Sequence, residues 1–393
     1  MSTLRVDTIT DEAGTGPVEF TNGINVSGGT VTGVEPFKYN AVSGTTQALD
    51  VGSYNFFDAG TLTADTTVSF SNVPTEARWT YTAEIGASEL YYLEGPSSAV
   101  ASAYVGGDSL EGLAFSVDGT QMYTTNNRAS YYNDAVYQQT LSVPWDLNSA
   151  ESVTQVFSVQ SQDDLVRSLA FSSDGTKMYV IGDTNDRLFQ YTLSTAWSIS
   201  TASYDSVSLN LGLQDTSPSD IYFKPDGTKM YMVGLTGDRV YQYTLSTAWS
   251  ISTASYDGTS FYVGGQDANP VSVTFKSDGT KMFVVGLSTL LAYQYTLSTP
   301  WAVSTASYDS VSRALPANAK GLTFSSAGDY LYVVSRTGLV AYQYEASLST
   351  LLTLPSSVEN PPTSSAVFGD HVSYTFFTAD GGTTVKLINE EVL

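Results

Sequence analysis

The residues able to do chemistry in this chain sit in short polar segments. Tyr131 and Tyr132 are followed by Asn133 and Asp134, and aromatic rings beside a carboxylate and an amide suit sugar recognition. A longer polar loop without a ligand is the alternative reading, since exposed polar loops are common. Asp183 and Arg187 share one segment, Asp238 and Arg239 the matching one, and Arg336 stands in a third. Arg187 and Arg239 lie beside Asp186 and Asp238, which reads either as a duplicated surface ion pair of small energetic value or as a rim that binds carboxylate or phosphate.

Composition removes other chemistry. The 393 residues include no Cys and one His, so there is no thiol nucleophile, no disulfide framework and no histidine-rich zinc site. The single histidine, His371, has no nucleophile or carboxylate partner in view. A net charge of −23 argues against nucleic-acid binding, which needs a basic face. No apolar run is long enough to span a membrane, and the first residues carry no apolar signal segment. The 39 acidic residues supply many carboxylate pairs of the kind glycoside hydrolysis uses. Acidic loops leave Ca²⁺ binding open, but no calcium loop of familiar spacing occurs, and neither a metal site nor a cofactor is expected.

The elements that must position these residues come from a repeat. Trp145, Trp197, Trp249 and Trp301 are each 52 residues apart. Around them, Ser168 to Gly182 returns at Asp220 to Gly234 and at Ser272 to Gly286, and Gln190 to Asp205 recurs unchanged at Gln242 to Asp257. A looser copy spans Gly112 to Tyr123 and a degenerate one Gly321 to Tyr344. Each copy reads as four short strands, with Asp174-Gly175 as a hairpin turn. A four-stranded unit of roughly 40–50 residues is the mark of a propeller blade. The repeats fall near 110–159, 168–209, 220–263, 272–311 and 321–346. The fifth lacks its outer strand, and Ser102 to Asp108 matches one, so a five-bladed propeller over 96–346 closes on its own N-terminal segment. Its inner strands (Leu169, Ile221, Val273 and neighbours) are mostly apolar, which points away from metal-dependent hydrolysis; the expectation is a protein that is not an enzyme. The near-identical turns of one rim suit a structural task. The divergent loops of the other, where all the candidates above lie, suit binding.

The flanks, 41–95 and 347–393, read as two halves of a small antiparallel β-sandwich with the propeller inserted between them. Leu49 with Val51, Tyr54 with Phe56 and Val68 with Phe70 share faces. Residues 1–40 carry very short alternating segments between glycines. These bury little alone and imply partner chains.

The stretches Ser2 to Ile9 and Phe20 to Val26 resemble the N-terminal module of tail-fibre and virion-appendage proteins from tailed phages of marine bacteria. Tyr54 to Phe57, Leu62 to Pro74, Pro355 to Val358 and Thr375 to Thr384 resemble the sandwich module of those fibres, which usually runs uninterrupted. The resemblance covers 1–85 and 350–393. It implies a homotrimeric virion appendage, attached to other virion proteins through 1–40 and displaying the rest towards a host-surface glycan or protein. The expected class is all-β: a five-bladed β-propeller inserted into a small β-sandwich, preceded by a short β segment for oligomerisation and attachment. A decoration protein without a receptor and a glycan-cleaving spike are the alternatives.

Overall fold

The computed structural model describes residues 25–26, 29–30, 39–43, 46–51, 53–54, 56–62, 66–75, 77–85, 87–91, 93, 98–105, 109–127, 134–349, 352–353, 357–359, 371–378 and 385–392. Most of the expected attachment segment, including 1–24, therefore lies outside the described residues. Among the described residues the chain is all-β and propeller-like, with short 3₁₀ turns and no α-helix. It divides into two compact units, residues 1–89 with 348–393, and residues 90–347.

The larger unit holds five four-stranded antiparallel sheets among the described residues. Each is laid down in chain order from an inner to an outer strand, except the last. The inner strands are Leu110–Phe115, Val166–Phe171, Pro218–Phe223, Pro270–Phe275 and Ala319–Phe324. Each packs against the next, and the fifth packs against the first, so the cycle of contacts is closed. The last sheet takes its outer strand from upstream: Ala101–Tyr104 pairs with Val340–Glu345, Ala103 opposite Ala341.

The repeated residues explain how the sheets are joined. At each Asp-Gly turn the glycine has a left-handed backbone (φ 71° at Gly227), and the half-buried Trp249 indole lies where its Cβ would be. The tryptophan is itself left-handed, with φ near 64°, and its N–H donates to the Gly227 carbonyl at 3.1 Å. Its own carbonyl accepts from a tyrosine of the preceding sheet. Tyr123 reaches Trp197 at 2.5 Å, Tyr179 reaches Trp249, Tyr231 reaches Trp301 at 2.7 Å, and Tyr332 closes the cycle on Trp145 at 2.5 Å. A glutamine in four of the five third strands makes a second tie. Gln138, Gln190, Gln242 and Gln343 accept through Oε1 from the backbone N–H of Ile199, Ile251, Val303 and Leu147 in the following sheet, at 2.9–3.1 Å.

The fifth sheet has no tryptophan of its own. Tyr91 fills the position: it has φ 59°, its N–H donates to the Gly328 carbonyl at 2.8 Å, and its ring occupies the space above Gly328. Leu93 follows two residues later, fully buried, as Ile199 follows Trp197. The sequence expectation placed 41–95 in the sandwich, but Tyr91 and Leu93 belong to the larger unit. No 52-residue echo marks them, because they come from the other end of the repeat array.

In the smaller unit, Ala77–Ile85 pairs antiparallel with His371–Thr378, setting Trp79 opposite Phe376 and Tyr81 opposite Tyr374. Leu49, Phe57, Val68, Trp79, Phe376 and Val385 share one core, to which both ends of the sequence contribute. Two expectations need correction. Thr46–Asp50 runs parallel to Thr66–Ser71, and Phe56–Leu62 parallel to Ala77–Ile85, not antiparallel. Consecutive strands here alternate between two sheets, so same-sheet neighbours are two strands apart and point the same way. Phe57, not Phe56, is the core residue, and Tyr54 is exposed. Alternation reports the period but not the phase, and a shift of one residue exchanges the faces.

Tyr91→Ala is expected to destabilise the protein by about 3–5 kcal/mol, as for a buried aromatic in a core, and Tyr231→Phe by only about 1 kcal/mol, the worth of one hydrogen bond. Denaturant unfolding of the two variants beside the native chain checks both. A Tyr91→Ala loss no larger than that of Tyr231→Phe would mean that the fifth sheet does not depend on this residue.

Candidate functional site

The ring has two rims, and they differ in kind. One carries the Asp-Gly-Thr turns and tryptophan loops, whose polar groups are internally satisfied. Asp174 Oδ1 accepts from Ser172 Oγ (2.7 Å), Thr176 N and Thr176 Oγ1, and these bonds hold its carboxyl below the usual range. The opposite rim gathers the loops between sheets and the loops between second and third strands. Three buried aspartates 52 residues apart, Asp163, Asp215 and Asp267, fasten the two sets together. Asp215, for example, accepts from Ser217 N (3.0 Å), Thr236 N (3.1 Å) and Gly237 N (2.8 Å).

All five inner strands carry a register irregularity just inside this rim, between their first and third or fourth residues. A bulge re-aims the side chain at that point. The second residues of the strands are Glu111, Arg167, Ser219, Val271 and Lys320, all different. The charged ones meet. Glu111, 4% exposed at its side chain, is ion-paired with Arg336 and lies 3.6 Å from Arg167 Nη1 and 4.0 Å from Lys320 Nζ. Arg167 also forks onto Asp183, with Nη2 at 2.7 Å and Nε at 3.2 Å, and Asp183 Oδ1 accepts from Ser217 Oγ at 2.9 Å. Three cations thus meet two carboxylates at the channel mouth, contributed by the first, second and fifth sheets. Burial pulls Lys320 down to about 8, and Arg167 adds to the effect.

One residue deeper lies Asp220. It accepts from Ser168 Oγ, Ser272 Oγ (2.6 Å), Val273 N (2.9 Å) and its neighbour Ile221 N (2.8 Å), so it bridges three inner strands. Burial pushes its carboxyl up to about 6, against the pull of those four donors. Below it the channel turns apolar: Leu113, Leu169, Ile221, Val273 and Leu322, one from each inner strand, line a cavity of about 240 Å³ that Asp220 also borders. Among the described residues no group of three His, Asp or Glu side chains is placed to hold a metal ion.

The sequence candidates fare unevenly. Asp183 and Arg336 enter the mouth cluster. Tyr131, Tyr132 and Asn133 lie outside the described residues. Asp134, expected on an exposed loop, is instead buried, and its backbone oxygen accepts from Val159 N at 2.9 Å. Arg187 and Arg239 are not ion-paired with Asp186 and Asp238 among the described residues. Arg187 Nε donates to Ser208 Oγ at 3.0 Å, Arg239 Nη1 to Ser260 Oγ at 3.1 Å, and Arg239 also covers the Tyr262 ring at 5.5 Å. The left-handed backbone of Asp186 and Asp238 ends each turn, and the arginine begins the next strand beside its outer neighbour. Asp238, a candidate in its own right, is thereby a turn residue whose carboxyl is raised by burial and by Asp215. Glu111, Arg167, Lys320 and Asp220 were missed. The signal for them was divergence at one position of an otherwise repeated strand.

No family model matches the chain, and no curated protein matches it. Solved structures similar to it include a candidate 6-phosphogluconolactonase from Bacteroides uniformis, 11% identical over 62% of this chain and 71% of that one, with a TM-score of 0.39. Another is the periplasmic gluconolactonase of Pseudomonas aeruginosa, 14% identical over 62% and 70%, TM-score 0.38. A third is a nidogen/laminin complex, 12% identical over 62% and 81%, TM-score 0.39. These are propeller-type proteins. The expectation that the chain is not an enzyme does not stand beside the two lactonases and is withdrawn. Likeness at this level carries no argument about activity, so none is assigned.

A carboxyl raised by burial holds its proton in the folded chain over a range where the unfolded chain has lost it. Asp220 therefore stabilises most at low pH, and its contribution falls as pH rises from about 4 to about 6. Across that window the stability of Asp220→Asn relative to the native chain should shift by up to about 3 kcal/mol in favour of the variant. Urea unfolding in buffers from pH 4 to pH 7 reads the difference; parallel curves would mean that the carboxyl titrates normally.

Proposed function

We propose that this chain is a virion appendage protein of a tailed phage, a five-bladed propeller set into a split β-sandwich and assembled as a homotrimer through residues 1–40. The mouth of its ring binds a glycan of the host surface. The observation that carries the reading is the contrast between the rims. One repeats almost word for word and spends its polar groups on its own turns; the other gathers Glu111, Arg167, Asp183, Lys320 and Arg336, which no other sheet repeats, at the channel mouth. Binding residues on variable loops held by a rigid frame are the usual arrangement. The resemblance of residues 1–85 and 350–393 to fibre modules supplies the setting. Within the described residues no helix is long and apolar enough to cross a membrane.

The test is adsorption of the purified protein to cultured marine bacteria that the phage infects, with loss of phage adsorption as the second readout. Arg336→Ala combined with Asp183→Ala should weaken cell binding at least about tenfold, the scale for losing charged contacts in a binding site. Lys224→Ala, which removes an ion pair with Asp226 and a cation over the Trp301 ring on the opposite rim, should leave it unchanged. Equal binding by all three proteins would refute the mouth as the binding surface and leave a decoration role. Sedimentation should give the mass of three chains, and removal of residues 1–40 should reduce it to one.

A further inference from the structure

The mouth cluster is not balanced within itself. Glu111 is already engaged by Arg336, and Asp183 by Arg167. Lys320 has neither carboxylate to itself. Its side chain is 8% exposed, yet its nearest partner among the described residues is Glu111 Oε2 at 4.0 Å, beyond hydrogen-bond reach. An ammonium so little exposed, held only by a carboxylate at 4.0 Å that Arg336 already engages, is costly and calls for an anion. The residues that lead to it from solvent are also cationic, Arg336 at 33% and Arg167 at 18% side-chain exposure, while the chain as a whole carries −23. Positive groups gathered at one mouth of so acidic a molecule have to be placed there by the fold. The strand bulges that aim Glu111, Arg167 and Lys320 inward do this.

We infer that the channel mouth is an anion-binding site in which Lys320, with Arg336 and Arg167, takes an anionic oxygen group of the ligand, a carboxylate, a sulfate or a phosphate on a sugar. Glu111 is the internal stand-in that occupies the arginine until the ligand's group displaces it. The inference rests on the reading of the mouth as a glycan site and deepens it from glycan to acidic glycan. Asp183 stays on Arg167 and keeps that guanidinium fixed, so the incoming group meets Lys320 and Arg336 first.

Calorimetric titration of the full chain with glucuronate, glucose 6-sulfate and glucose 6-phosphate, with glucose as the neutral control, tests it. The native chain should bind one or more of the anionic sugars and not glucose, and the three arms show which anion fits. Lys320→Met, which keeps the bulk of a buried side chain without the charge, should lose at least about tenfold in affinity, and Glu111→Gln, which frees the cations, should gain about tenfold. Opposite directions in two variants separate the proposal from a general loss of folding. No binding of any anionic sugar by the native chain, equal binding of glucose, or wild-type affinity in Lys320→Met overturns it. Anion binding without adsorption to cells would keep this inference and refute the cell-surface reading. Adsorption without anion binding would do the reverse.

Discussion

Each four-stranded sheet of the larger unit has two apolar faces and can cover neither alone, so the structure depends on joining every sheet to the next. The joint is the same almost everywhere. A tyrosine hydroxyl crosses to the carbonyl of the neighbouring tryptophan, and a glutamine crosses to a backbone N–H two residues further on. The tryptophan can offer that carbonyl because its backbone is left-handed and its indole lies over a glycine with no side chain. Hydrogen bonds made in a nearly dry interface fix direction as well as distance, and so each sheet is set at a defined angle to its neighbour. Where the tyrosine is absent, at Phe283, the junction relies on tilted aromatic contacts: Phe283 lies 4.7 Å and Tyr91 5.0 Å from the Phe324 ring.

Closure of the ring places the charged mouth. Arg167 belongs to the second sheet, Glu111 to the first and Lys320 to the last, residues far apart in the chain that become neighbours only when the first and fifth inner strands meet. The upstream segment secures that closure twice, through the outer strand Ala101–Tyr104 and through Tyr91 against Gly328. Buried aspartates then hold the loops of the same rim, so the mouth is built on a fixed frame. The apolar ring below Asp220 limits how far a charged group can travel into the channel.

Much of this was legible in the residues. The 52-residue period gave the four strands of the repeated sheets and their turns, because an Asp-Gly pair and alternating apolar residues constrain backbone locally. The Ser102 segment could be matched to an outer strand because it retains the repeat's own words. Tyr91 could not be matched, since a tyrosine standing for a tryptophan keeps only shape and backbone conformation. Asp183 and Arg336 were visible as polar residues on divergent loops. Glu111 and Lys320 were hidden at the ends of strands whose remaining residues are apolar.

The amino-acid sequence by itself determined the all-β class, the repeat length and the division into a constant and a divergent rim, all of which follow from short-range preferences repeated along the chain. The tertiary structure alone decided which side chains meet at the mouth, that Asp134 is buried, that Arg187 and Arg239 turn to serines and not to the adjacent aspartates, and that strands near the N-terminus run parallel. Those outcomes depend on ring closure, on bulges that re-aim single residues and on which strand becomes whose neighbour. Contacts of that kind join positions tens to hundreds of residues apart, and local periodicity carries no record of them.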